Sequence, residues 1–134
     1  MNIVKFEKKS FINSTNSTTI KADTIKIKGI EKKIVFFSKT ELTSILSLYS
    51  KQVSKGYWKD YALDSKIDNA IFSVFKHSQD KPMYQIIKNS QKGFRNNPIF
   101  YIKKDKEVIG KSNILLKILY NFEKKLSIKK LKNH

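Results

Sequence analysis

The tetrad Ser38-Lys39-Thr40-Glu41 leaves this chain its least conformational freedom. A serine followed three residues later by glutamate is a capping box, in which each side chain satisfies an amide that the first helical turn leaves open. Phe37 before the box and Leu42 after it stand where a hydrophobic staple belongs. Leu42, Ile45, Leu46, Tyr49 and Val53 then recur at helical spacing and mark one buried face. Lys51 and Lys55 suit the negative end of the helix dipole, and Gly56 is a natural stop. The pattern predicts a helix over residues 38–56.

Strand signals lie on both sides of it. Lys33 to Phe37 is a β-prone run, and residues 24–28, turning at Gly29, offer it a weaker partner. Beyond the helix, Tyr57–Leu63, Ala70–Lys76, Met83–Lys88 and Ile99–Lys103 read as successive strands. On the second of these, Phe72 and Val74 share one face while Ile71, Ser73 and Phe75 share the other. Pro82 enters the third strand at a tolerated position. Asp105-Lys106-Glu107 turns the chain into Val108 and Ile109.

A second amphipathic helix begins near Ser112 or Asn113, either a competent cap, and buries Leu115, Ile118, Leu119, Phe122 and Leu126. The expected fold is α+β: a helix, an antiparallel meander of three or four strands packed through one face, then a helix, with an extra N-terminal strand in reserve. We expect a disordered basic and polar segment over residues 1–23, a single domain over 24–126 and a basic tail over 127–134.

Composition removes several chemistries. There is no cysteine, hence no disulfide, thiol nucleophile or thiolate metal site. No apolar run reaches the roughly 20 residues that span a bilayer, and the N-terminus lacks a signal-peptide core, so a cytoplasmic location is expected. The net charge of +17 points to a polyanion such as RNA, since lysines neutralise phosphates and release counterions. Yet Arg95 is the sole arginine among 28 basic residues, and Lys lacks the planar fork that suits sequence-specific recognition. AT-rich coding is an equal explanation of so much lysine. Residues 1–39 and 127–134 carry +9 of the charge, more than half.

Within the domain, Lys76, Lys88, Arg95, Lys103, Lys104, Lys111 and Lys117 are the candidate polyanion contacts. The segment Trp58, Lys59, Asp60, Tyr61 and Asp64 is a candidate functional surface. Its Trp and Tyr rings could stack on bases, against the alternative that Trp58 packs on the first helix. With Asp68, the carboxylates of Asp60 and Asp64 could hold a hard cation, but no EF-hand loop pattern is present, and turn capping or pairing with lysine explains them better. Phe72 or Phe75, with Tyr84 and Tyr101, would form an aromatic patch on whichever sheet face the helices leave open. His77 and His134 are the only imidazoles, and no nucleophile–base pair can be assembled around Ser73 or Ser78. Neither enzymatic activity nor a cofactor is expected.

Leu42-Thr43-Ser44-Ile45-Leu46-Ser47-Leu48-Tyr49, Gly56-Tyr57-Trp58-Lys59-Asp60-Tyr61-Ala62-Leu63-Asp64, Ala70-Ile71-Phe72-Ser73-Val74-Phe75-Lys76 and Pro82-Met83-Tyr84-Gln85-Ile86 together resemble a family of small alphaproteobacterial proteins of unknown function. The resemblance runs from about Ile34 to Leu126 and closes on Phe122-Glu123-Lys124-Lys125-Leu126. It implies one continuous domain and carries no activity, cofactor or catalytic residue. The element order is also similar to that of double-stranded RNA-binding domains, where lysines at the start of the second helix meet phosphates, although the usual lysine cluster is missing here. The expectation is a non-enzymatic module that binds RNA or another polyanion through lysines. The alternative is a protein–protein adaptor or homodimer that uses a strand edge or aromatic patch.

Overall fold

The computed structural model describes residues 24–27, 30–77, 81–90 and 97–132. The segment expected to be disordered, Arg95, Ser78 and His134 all lie outside them. Strands β1 (Thr24–Ile27) and β2 (Ile30–Lys33) pair as an antiparallel hairpin. Helix α1 (Lys39–Ser54) follows. A five-stranded antiparallel meander is next: β3 (Asp60–Ser65), β4 (Asn69–Phe75), β5 (Tyr84–Asn89), β6 (Ile99–Lys104) and β7 (Glu107–Ser112), neighbours in that order. Helix α2 (Leu115–Lys132) is the last of the described elements. The fold is α+β, with one strand more than the upper expectation.

The capping box forms in full. Glu41 N–H donates to Ser38 Oγ at 3.1 Å, and Ser38 N–H donates to Glu41 Oε1 at 2.8 Å. At the other end Gly56 takes φ +82°, a conformation that disfavours any residue with a Cβ. Gly56 N–H then donates to the Val53 carbonyl and Tyr57 N–H to the Gln52 carbonyl, the paired bonds of a Schellman turn. This turn aims the chain back under the helix, so Tyr57 and Trp58 precede β3 instead of belonging to it. The α1 stripe is Ile45, Leu48 and Gln52, whereas Val53 is 38% exposed. The apolar periodicity had placed Val53 inside; the packed face turns slightly away from it.

Residues 34–38 are likewise not a strand. Val35 N–H makes one backbone bond to the Lys66 carbonyl at 2.8 Å, Val35 is buried, and Phe37 packs on the core. Their apolar character serves to dock the entrance of α1. Lys88, near the end of β5, reinforces that entrance: its Nζ donates to Glu41 Oε1 at 2.8 Å and to the Phe36 carbonyl at 2.9 Å. A residue expected to meet a polyanion is thus committed to an internal ion pair.

Both helices cover one face of the sheet. Phe72 and Val74 of β4, Tyr84 and Ile86 of β5, and Phe100 and Ile102 of β6 meet Ile45 and Leu48 from α1 and all five expected residues of α2. Gly110 lets α2 approach β7: a Cβ there would lie 3.3 Å from Ile118 Cγ1. The second helix also runs to Lys132, six residues past the boundary set at Leu126, so residues 127–132 are helix and not tail. Lysine is a good helix former, and its charge is favourable at the negative end of the dipole.

Among the described residues, the opposite face of the sheet carries no helix. Register places Asp64, Ile71, Ile87, Tyr101 and Lys111 side by side across it in one row. A second row holds Ala62, Ser73, Gln85, Lys103 and Val108, and Asp60 lies beside Phe75.

Candidate functional site

Trp58 settles the fate of the expected surface segment. Its indole is 2% exposed and lies 6.1 Å from each of Tyr49, Tyr84 and Phe122, nearly parallel to the last. It therefore joins α1, β5 and α2 at the centre of the core and offers no face to a base. Tyr61 follows it inward, stacked on Phe72 at 4.7 Å and edge-on to Tyr49 at 4.8 Å. Lys59 and Asp64 are exposed. Asp60 accepts from the Tyr61 N–H at 2.7 Å. The five residues diverge to opposite sides of the sheet and do not form one site. Among the described residues no group of His, Cys, Asp and Glu could hold a metal ion.

The aromatic patch divides in the same way. Tyr84 and Phe72 are core, while Phe75 and Tyr101 stand on the helix-free face. Burial raises the Tyr84 hydroxyl above its usual pKa, with Lys104 pulling the other way. Burial also raises Tyr49, helped by the negative charge of Asp60.

The structure gathers lysines elsewhere. Between β7 and α2 runs a groove of about 440 Å³ whose apolar floor includes Ile109, Ile118 and Phe122. Lys111, Lys117, Lys124 and Lys125 line it, with Ser112 and Asn121 as polar neighbours and no carboxylate. The groove follows from local sequence. Lys117, Asn121, Lys124 and Ile128 recur at helical spacing on the flank of the buried stripe. Ser112 Oγ accepts from Ile114 N–H at 3.0 Å, which begins the helix two residues later than a direct Ser112 cap would. Lys125 Nζ spans the gap to the Ile109 carbonyl at 2.8 Å. Lys111 lies over the Tyr101 ring at 5.7 Å, and Lys124 over Tyr120 at 5.3 Å.

Of the seven expected polyanion contacts, Lys111 borders the groove with its ammonium over Tyr101 on the other sheet face, while Lys117 lies in it, joined by Lys124 and Lys125, which sequence reasoning passed over. Their signal was present in the helical spacing from Lys117. One turn beyond, Lys129 meets Lys104 and Lys81 around a second hollow beside Tyr84. Lys103 points to the helix-free face, and Lys76 is exposed just beyond β4.

No helix among the described residues is long and apolar enough to cross a membrane. No curated protein and no solved structure shows significant similarity to the chain. A family described as "Protein of unknown function (DUF2794)" matches residues 35–119, from the approach to α1 through the first turns of α2. The capped helix, the Trp58 core and the five-stranded meander are therefore those of a member of the DUF2794 family, to which this chain belongs.

Proposed function

We propose that the protein is a non-enzymatic module that binds RNA in the groove between β7 and α2, in the cytoplasm. The observation that carries this reading is the groove lining, where the α2 lysines Lys117, Lys124 and Lys125 stand with no carboxylate among them. Ammonium groups so placed repel one another, and a phosphodiester backbone relieves that repulsion while releasing its own counterions. Lysine is a flexible point charge, so the contacts follow the backbone and read no base. The half-buried Ile109 and the exposed Ile128 add apolar surface on which a sugar or base edge can rest.

Titration of a labelled single-stranded oligoribonucleotide, followed by fluorescence anisotropy over a salt series, tests the proposal. Three phosphate contacts give a slope of log K against log salt of roughly −2, so affinity falls about twenty-fold between 50 and 200 mM salt. Absence of binding at 50 mM salt, or a slope near zero, contradicts it.

A further inference from the structure

We infer that two copies of this chain pack through their helix-free sheet faces to form a two-fold symmetric β-sandwich. The face is apolar along its middle, where Ile71, Ile87 and Tyr101 occupy adjacent strands in one row. Phe75 and Val108 extend the apolar surface, Val108 being 49% exposed. A sheet in a two-layer fold usually turns its polar residues to water. Branched aliphatics at the centre of the outward row instead mark a surface that is covered.

Charge identifies the occupant. In a chain of net charge +17, the strand residues of this face carry two acids, Asp60 and Asp64, and two lysines, Lys103 and Lys111. The acids lie on β3 at one edge, and the lysines on β6 and β7 towards the other. A two-fold axis midway between the two sheets, running above the middle strand and parallel to it, lays β3 of one copy over β7 of the second. Asp64 then faces Lys111, Ile71 faces Tyr101 and Ile87 meets its own counterpart. Reversal of the row makes it complementary to itself, which a generic basic or acidic partner would not match.

The dimensions agree. Aligned sheets pack about 10 Å apart with a relative rotation of about 30°, which displaces the edge strands by roughly 5 Å, within the reach of a lysine side chain. Five strands about 4.8 Å apart and six residues long present a face of roughly 24 by 20 Å. Two such faces bury on the order of 1,000 Å², the lower bound for a specific interface. The α2 lysines of the RNA groove lie on the helix side of β7, and Lys111 turns to the opposite face, so both activities can coexist.

Sedimentation of the full chain after nuclease treatment, at about 100 µM, decides the matter. The expected particle has twice the 15.7 kDa chain mass. Asp64→Lys sets lysine against Lys111 and is expected to yield monomers, and the double change Asp64→Lys/Lys111→Asp is expected to restore the dimer. Ile87→Glu, with folding verified by circular dichroism, is expected to abolish it. A monomeric wild type overturns the inference and directs attention to residues 1–23 or a different protein as the cover. A dimer unaffected by Ile87→Glu and Asp64→Lys places the contact on another surface and overturns it equally. Failure of the double change to restore association contradicts the charge-paired orientation.

Discussion

Trp58→Ala is expected to destabilise the domain by about 3–5 kcal/mol, the cost of emptying a large aromatic site that its neighbours cannot refill. The ring touches three elements that have no other common partner of its size: Tyr49 on α1, Tyr84 on β5 and Phe122 on α2. Its removal leaves a void at their junction, and aromatic contacts worth about 0.5–1.5 kcal/mol each beyond area burial are lost with it. Domains of this size have roughly 5–15 kcal/mol in total, so the variant retains little reserve. The melting temperature should fall by about 10–15 °C, scaled from the entropy of unfolding for this chain length. Urea unfolding followed by far-ultraviolet circular dichroism measures the loss. A change below about 1 kcal/mol would show that the indole is peripheral. Trp58→Phe keeps part of the stacking against Phe122 and should lose less.

The second large effect concerns binding and leaves the fold intact. Lys117→Glu/Lys124→Glu reverses two exposed charges on one face of α2 and touches no buried residue. Each lost phosphate contact lowers the salt slope by about 0.7, and the two new carboxylates repel the backbone. At about 100 mM salt, affinity for an oligoribonucleotide should fall tenfold or more, while the unfolding midpoint moves by no more than about 0.5 kcal/mol. The paired control is Lys55→Glu/Lys59→Glu, two exposed lysines that flank the α1 turn away from the groove. If both pairs lower affinity equally, attraction is diffuse and the groove is not the site.

The parts of the fold that were legible in the sequence are those written in short-range chemistry. Ser38 and Glu41 satisfy each other's amides across three residues, and Gly56 supplies its own left-handed stop, so α1 could be read with its ends. The α2 stripe was equally clear because five apolar residues keep a helical period. Strand β7 was not. Its apolar residues are only Val108 and Ile109, and Gly110 resembles a turn until Ile118 is seen to occupy the space a Cβ would take. The bulge between Ile102 and Lys103 further breaks the alternation that would have revealed it.

Site reading failed for a related reason. Lys88 looks like any basic strand residue, and only the tertiary approach of Glu41 and the Phe36 carbonyl makes it internal. The reverse holds for Lys124 and Lys125, which lay beyond the lysines singled out yet share a groove with Lys117 once α2 is packed. Trp58 was open to two readings in sequence, and the Schellman turn at Gly56 decides between them by directing the ring inward. More than half the charge lies in the terminal segments. The folded domain nevertheless concentrates part of its own charge where no acid neutralises it.

The claim that RNA lies in the β7–α2 groove is tested most directly by amide chemical-shift mapping during an oligoribonucleotide titration. The account predicts that the largest shifts fall on Gly110, Lys111, Lys117, Asn121 and Lys124. Shifts confined to the terminal segments, or centred on Ile71, Ile87 and Phe75 of the opposite sheet face, would contradict it.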